Sequence, residues 1–449
     1  MRPAGSIAST LIVLCLLACT PADPPPARNL LLITLDTLRA DHLGVYGYPR
    51  PTSPALDRFA AGATVFTDAT CSIPTTLPSH VSIFTGLRPT QHGVRRNGAA
   101  PDRDLVSIFD LLAANGTRTA AVIASQVVGE RYLSGLGIDE VIYPGPKRRY
   151  QAGAKRVTEH ATAWLDAHAE EPFALWLHYY DTHEPYEPPA EVLRHFDRGY
   201  DGELPDALAT KRLVGFNKLA PGTLSSADLA HVTDLYDAEI AALDRQLGLL
   251  FEALEARGLL ANSLVVLVGD HGQALGESGF FGHGLRLLEP VVKVPMIVRL
   301  PGEREGTRAD SPVETIDLLP TVAELMNLEP PTDLPGRSLV PALSGARLGA
   351  GSPRVVERRL YDDRPDIVGA AIHAGAWKAV FYRDEDGSET RFLGRRDSGL
   401  DGENLFTADS DEARWLEAVV AGLTSGDGPV EAEMDEEQRR MLEALGYLD

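Results

Sequence analysis

Asn29-Leu30-Leu31-Leu32-Ile33-Thr34-Leu35-Asp36 is an almost unbroken apolar run of strand length, closed by an acid. Without apolar–polar alternation, such a run suits a strand buried on both faces of a parallel sheet. Thr119 to Ala124, Phe173 to Tyr180 and Leu264 to Val268 share its texture, and Pro295 to Leu300 is a shorter candidate. Helical patterns lie between them. Leu105, Ile108, Leu111 and Leu112 share one face, and Gly116 stands where a helix C-terminus takes a left-handed residue. Lys155 to His168 is amphipathic, and the longest pattern runs from Ser226 to Arg257 and stops at Gly258. Strand–helix–strand alternation predicts an α/β domain with a mostly parallel sheet and helices on both sides.

The texture changes from about Gly351. Gly375 to Tyr382 alternates, and Asp384-Glu385-Asp386-Gly387 follows as a turn, which predicts an antiparallel hairpin. A helix over Glu412 to Ala421 and a charged stretch from Glu436 to Leu445 complete a small C-terminal α+β unit. At the other end, Met1-Arg2-Pro3 is a short basic start, and Ile7 to Ala18 is an apolar run too short to span a bilayer comfortably. Leu16-Leu17-Ala18-Cys19 follows, then a Pro-rich stretch from Pro21 to Arg28 that reads as a stiff, solvated tether. The pattern resembles a bacterial lipoprotein leader cut before Cys19, with lipid on its thiol. An ordinary secretory signal is the alternative. Thr20 suits an outer-membrane address in a host with two membranes. Residues 1–18 are thus read as a leader, 19–28 as a tether, 29–350 as the main domain and 351–449 as a small C-terminal subdomain, in an exported protein of the cell envelope.

The bulk composition narrows the partners. The chain has 449 residues, 44% of them hydrophobic, enough for a large core. Its formal net charge of -22 repels phosphate backbones, which excludes nucleic acid as a partner class. An anionic substrate then needs a locally positive site, and a metal ion is the simplest source. Of the three cysteines, Cys15 and Cys19 lie in the leader, so Cys71 has no partner for an internal disulfide framework.

Ligands of open α/β sheets gather beyond the carboxyl ends of the strands. The first run ends in Asp36. The third ends in Asp181, with His183 two residues on, and the fourth ends in Asp270-His271-Gly272. Singly, these are a helix cap, a loop histidine and a turn. Together on one sheet edge, they make a carboxylate–imidazole set that suits zinc, manganese, calcium or magnesium. In Thr75-Thr76-Leu77-Pro78-Ser79-His80, Pro78 marks the first turn of a helix. Thr76 then sits at a helix N-terminus, where free N–H groups and the dipole attract an anionic ester. A metal on its hydroxyl favours the attacking alkoxide. His80, one turn on, is a candidate to contact the substrate or the leaving oxygen, against the plain reading of a helix-face histidine.

These segments resemble the sulfatase family of the alkaline phosphatase superfamily. The resemblance rests on Leu35 to Gly44 with Tyr46-Gly47-Tyr48, on Thr76-Leu77-Pro78-Ser79-His80 with Thr85-Gly86 and His92-Gly93-Val94, and on His178 to Tyr186. Tyr236 to Ile240, Gly269-Asp270-His271-Gly272, Gly282-His283-Gly284 and the ending Leu442 to Leu448 extend it over nearly the whole chain after the leader. It implies an alkaline-phosphatase-like three-layer α/β/α sandwich. It also implies that Asp36, Thr76, Asp270 and His271 hold a divalent cation, while Asp181, His183 and His283 hold a second ion or contact the substrate.

The departures from the family are specific. Arylsulfatases convert Cys or Ser of a Cys/Ser-x-Pro-x-Arg motif to formylglycine. Here that residue is Thr76, which cannot be converted, and the Arg position is His80. Thr37 replaces a second acid after Asp36, and His283 replaces a sulfate-contacting Lys. One acid fewer and one imidazole more shift the site towards zinc-like or two-metal chemistry. The expected activity is therefore hydrolysis or transfer of phosphate esters through a covalent ester on Thr76. Sulfuric ester hydrolysis is the alternative, and a non-catalytic envelope-binding lipoprotein the second alternative.

Overall fold

The computed structural model describes residues 27–101, 104–146, 151–220, 222–349, 354–358, 369–374, 377–383, 387–396 and 404–405. The leader with Cys19, most of the tether, and the C-terminal stretches expected over 412–421 and 436–445 lie outside the described residues.

The strands of the large sheet come in two runs. The first holds β1 (Asn29–Leu35), β2 (Thr64–Thr70), β3 (Arg118–Ile123), β4 (Glu140–Ile142), β5 (Phe173–Tyr179) and β6 (Ser263–Gly269). A hairpin of β7 (Ala274–Leu275) and β8 (Phe281–Gly282) then branches off, before β9 (Lys293–Arg299), β10 (Thr307–Ala309) and β11 (Val313–Glu314) return to the sheet. The order is β10-β2-β9-β6-β1-β5-β3-β4, with β11 against β2. From β6 to β4 the neighbours are parallel. The expected strand near Pro295 exists as β9, but it runs antiparallel to both β6 and β2. It returns from the same edge at which β6 ends, and an antiparallel partner needs no crossover helix.

Leu31 and Leu32 point to opposite faces of β1, yet both are about 1% exposed, so both faces are covered. Two groups of helices do the covering. Ser226–Ala256 packs on Pro54–Ala60, Ala154–His168 and Ala190–Leu193. Thr76–Thr85 packs on Pro89–His92, Ile108–Ala114 and Leu318–Leu325. The long helix opens on a capping box in which the Ser225 side chain accepts from Asp228 N–H. Gly258 follows it in the left-handed region, with φ 67. The architecture is the three-layer α/β/α sandwich with a mostly parallel sheet. No described helix is long and apolar enough to cross a membrane.

A separate antiparallel sheet follows, of β12 (Arg354–Glu357), β13 (Gly369–Ala374), β14 (Trp377–Arg383) and β15 (Glu389–Arg395), in that order. The expected hairpin is β14–β15. This sheet is pinned to segments that flank the functional edge. Arg354 reaches both carboxylate oxygens of Asp68, Glu357 N–H donates to Ser72 O at 2.8 Å, and Leu287 N–H donates to the Tyr382 hydroxyl. It therefore braces the loop that enters the Thr76 helix.

Candidate active site

Thr75 is extended, and Thr76 is the first residue of helix Thr76–Thr85. Pro78 falls in the first turn, where its missing N–H costs no intrahelical bond. The Leu77 N–H donates to Asn97 Oδ1 at 2.9 Å, and Ser79 Oγ donates to Asp270 O at 2.7 Å, so the helix start is tied to the end of β6. Asn97, to which the sequence reading assigned no role, holds this end in place.

β1 and β6 pair in parallel with Leu35 opposite Gly269, so Asp36 and Asp270 emerge side by side. Both are fully buried, as are Thr76 and His271. One ligand-capable atom from each of Asp36, Asp270 and His271 lies within 4.8 Å of the others. Thr76 Oγ1 stands 3.5 Å from His271 Nε2. His271 Nδ1–H donates to Gly272 O at 3.0 Å, which leaves Nε2 as the acceptor atom facing Thr76. Gly272 is required there, because a Cβ would stand 2.0 Å from Pro290 O.

The two carboxyls have opposite proton affinities. Burial opposes ionisation of Asp36, but the His178 hydrogen bond and the His271 and His183 imidazoles overcome it and hold Asp36 well below the usual range. Burial, then the charge of Asp36, pushes Asp270 well above it. Asp36 Oδ1 and Asp270 Oδ2 are buried without a hydrogen-bond partner. Orphaned carboxylate oxygens beside an imidazole acceptor atom fit a divalent cation, which would satisfy them together. The ligands implied for it are Asp36, Asp270, His271 and the Thr76 oxygen.

Two groups expected at the site are employed elsewhere. His80 Nδ1–H donates to Thr76 O at 2.7 Å, and its Nε2 accepts from the Thr34 hydroxyl at 2.9 Å. With both nitrogens spent in the core and burial lowering its pKa to about 3, His80 anchors the helix as a neutral ring and does not face a substrate. Asp181 Oδ1 accepts from Ala154 N–H at 2.9 Å and so caps helix Ala154–His168, while its Oδ2 is buried without a hydrogen-bond partner, and neither clustered ligand group includes it. Burial raises Asp181 to about 6, while burial and the charge of Asp181 raise Glu239 to about 8.

That last shift makes a prediction. The folded state binds the Glu239 proton more tightly than the unfolded chain, so this contribution to stability is complete below the ordinary pKa of about 4.5. It is lost as the pH rises towards about 8. Glu239→Gln keeps an oxygen for the Glu187 N–H and removes the titration. The variant's melting temperature relative to wild type should therefore climb between pH 5 and pH 8. A constant difference in calorimetry across that range would contradict the assignment.

His183 and His283 do face the site, with ring centroids 5.1 Å apart, and His283 lies 4.5 Å from His271. Glu184 joins them in a second cluster. Gln273 donates to Glu184 Oε2 at 2.7 Å and accepts from His283 Nδ1 at 2.8 Å. Further residues that had no assigned role in the sequence shape the site. His178 Nε2 lies 3.4 Å from Asp36 Oδ2, and its signal was a lone imidazole near the end of an apolar run. Thr37 adopts φ 53, rare for a β-branched residue, and donates its N–H to Asp270 Oδ1 at 3.2 Å. Tyr236 OH, donating to Thr37 O and accepting from Arg39 N–H, holds that turn. Asn217 exchanges two hydrogen bonds with the Phe281 backbone, beside the loop that carries His283.

A sheet edge with two carboxylates, an imidazole and a helix-N-terminal hydroxyl defines a class of ester hydrolase. The sulfatase family model matches residues 28–328, and the chain belongs to the sulfatase family. It is a hydrolase acting on sulfuric or phosphoric esters. An uncharacterized sulfatase of Escherichia coli is 27% identical over 78% of this chain and 76% of its own length. An arylsulfatase of Clostridium perfringens is 24% identical over 69% and 77%. Among solved structures, the phosphonate monoester hydrolase of Agrobacterium radiobacter superposes with a TM-score of 0.72 at 18% identity, covering 89% of this chain and 95% of its own. A structure in complex with D-glucosamine-2-N,6-O-disulfate reaches a TM-score of 0.73 at 17% identity, covering 91% and 100%.

Proposed function

We propose that the chain is a cation-dependent hydrolase of sulfuric esters, with Thr76 as its nucleophile. The carrying observation is the placement of Thr76 Oγ1 at a buried helix N-terminus, 3.5 Å from His271 and beside the orphaned oxygens of Asp36 and Asp270. The relatives favour sulfur over the phosphate ester expected from the threonine. The matching family is the sulfatases, and one relative is an arylsulfatase. Phosphate esters stay as the second reading on one specific observation: an ordinary hydroxyl stands where sulfatases use formylglycine, and two phosphonate monoester hydrolases share the fold.

When bound at Asp36, Asp270 and His271, a divalent cation supplies charge to polarise the ester and lowers the pKa of the threonine hydroxyl. The chain's own groups do the rest. The positive end of the Thr76 helix dipole favours an anionic ester, and Asn97 and Ser79 keep that helix end in register with β6. With its Nδ1–H spent on Gly272 O, His271 Nε2 would be a ligand of that cation, and the Thr76 proton would pass to solvent water. Attack by Thr76 Oγ1 on sulfur (or phosphorus) expels the alcohol and leaves a threonine ester, which water cleaves.

The deciding experiment measures rates on matched aryl sulfate, aryl phosphate monoester and aryl phosphate diester. A kcat/KM on the sulfate at least ~10-fold above both others, about 1.4 kcal/mol of transition-state preference, is the expected result. A phosphate preference of that size would replace sulfur with phosphorus. No turnover of any of the three by cation-loaded protein would favour the binding lipoprotein. Export with lipid on Cys19 belongs to the same proposal, supported by the Leu16-Leu17-Ala18-Cys19 pattern. Labelled fatty acid should enter wild type and fail to enter Cys19→Ser.

A further inference from the structure

We propose that Arg396 is a positioning residue: from the C-terminal sheet, its one guanidinium fixes the spacing between the loop that delivers Thr76 and the turn that delivers His271. This rests on the hydrolase reading above and extends it to a group that touches neither ester nor cation. Arg396 directly follows β15, and its side chain is 13% exposed. Nη1 and Nη2 donate to the two carboxylate oxygens of Asp68, at 2.8 and 2.9 Å. Nη2 also donates to Glu289 Oε2 at 3.0 Å, and Nε to Glu289 Oε1 at 3.4 Å. A planar fork of donors grips two carboxylates in this way, whereas an ammonium is a single point of charge.

The two carboxylates belong to the two halves of the site. Asp68 lies in β2, where the register against β9 shifts between Phe66 and Ala69, an irregularity of the kind that re-aims side chains. The chain runs on from Asp68 through Cys71 and Ser72 to Thr76. Glu289 opens helix Glu289–Val292, whose carbonyls hold both loops. Val291 O accepts from Gly272 N–H at 2.7 Å, next to His271, and Val292 O accepts from Cys71 N–H at 3.0 Å. Arg396 thus closes a ring of contacts that runs from Asp68 along the Thr76 loop, across to helix Glu289–Val292 and back. His373 Nε2 and Lys378 Nζ stand 3.2 and 3.7 Å from Glu289 Oε1, but neither makes a hydrogen bond, so the directional hold on Glu289 comes from Arg396. Without the guanidinium, two partly buried acids meet with like charge, and the two loops lose their common tie. Reacting groups tolerate little displacement, since about 1 Å can cost roughly 10²-fold in rate.

The test measures kcat and KM of the full-length, cation-loaded protein on the aryl ester that wild type prefers. Arg396→Ala should lose kcat by roughly 10- to 100-fold, with KM within about threefold of wild type and wild-type circular dichroism. Millimolar guanidinium, far below denaturing concentration, should restore part of that kcat by refilling the space between Asp68 and Glu289. It should restore nothing to Thr76→Ala. Arg396→Lys keeps the charge without the fork and should fall between wild type and Arg396→Ala. Wild-type kcat in Arg396→Ala overturns the role, and so does a loss that guanidinium leaves untouched. If Arg396→Ala fails to fold, Arg396→Lys and the near-isosteric Glu289→Gln decide, and wild-type kcat in both overturns the role. No turnover of any ester by wild type ends the hydrolase reading and this role together, whereas wild-type turnover that is indifferent to Arg396 ends this role alone.

Discussion

Thr76→Ala should lose turnover by roughly 10³-fold or more, because the covalent path ends when its oxygen is removed. The fold should survive. Thr76 is the first helical residue, and the helix start is held by Asn97 and Ser79. Thr76→Ser keeps an oxygen at the same backbone position and should retain a substantial part of the rate. The pair separates a nucleophile from a merely structural hydroxyl, since losing a packing methyl would harm both variants alike. The measurement is kcat on the preferred aryl ester, alongside far-ultraviolet circular dichroism and cation content. A Thr76→Ala enzyme with the wild-type rate would remove Thr76 from the reaction.

Asp36→Asn should be the other severe variant. Asp36 Oδ1 is buried without a hydrogen-bond partner, and Oδ2 faces His178. Replacing the carboxylate with an amide removes the anionic oxygen that a cation would neutralise. A loss of several kcal/mol of charge stabilisation, about 10³-fold in rate, is expected. Chelation of wild type should reproduce the loss, and added divalent cation should reverse it in wild type but not in the variant. Full activity in cation-free protein would end the cation-dependent reading, whatever the behaviour of Asp36→Asn.

Much of this was legible in one dimension because strand burial and turn chemistry are local. The unbroken apolar run of β1 and the Gly258 stop of the long helix needed no tertiary knowledge. So too the acids at strand ends: β1 delivers Asp36, and β6 delivers Asp270. Direction was harder. Pro295 to Leu300 reads as a strand either way, and its antiparallel setting depends on which edge the chain returns from. The side-chain roles of His80 and Asp181 were harder still. Both lie next to the chemistry in the sequence, yet one turns into the core towards Thr34 and the other caps a neighbouring helix.

The amino-acid order by itself determined the layered α/β plan, the threonine at a helix start and the strand-end acids, because periodicity and capping act over a few residues. Only the tertiary structure decided which imidazoles face the site and which are spent. A histidine's role depends on what its two nitrogens meet, and those partners (Gly272 O, Glu184 O, Gln273 Oε1, Thr34 Oγ1) are set by packing, often between segments far apart in the chain.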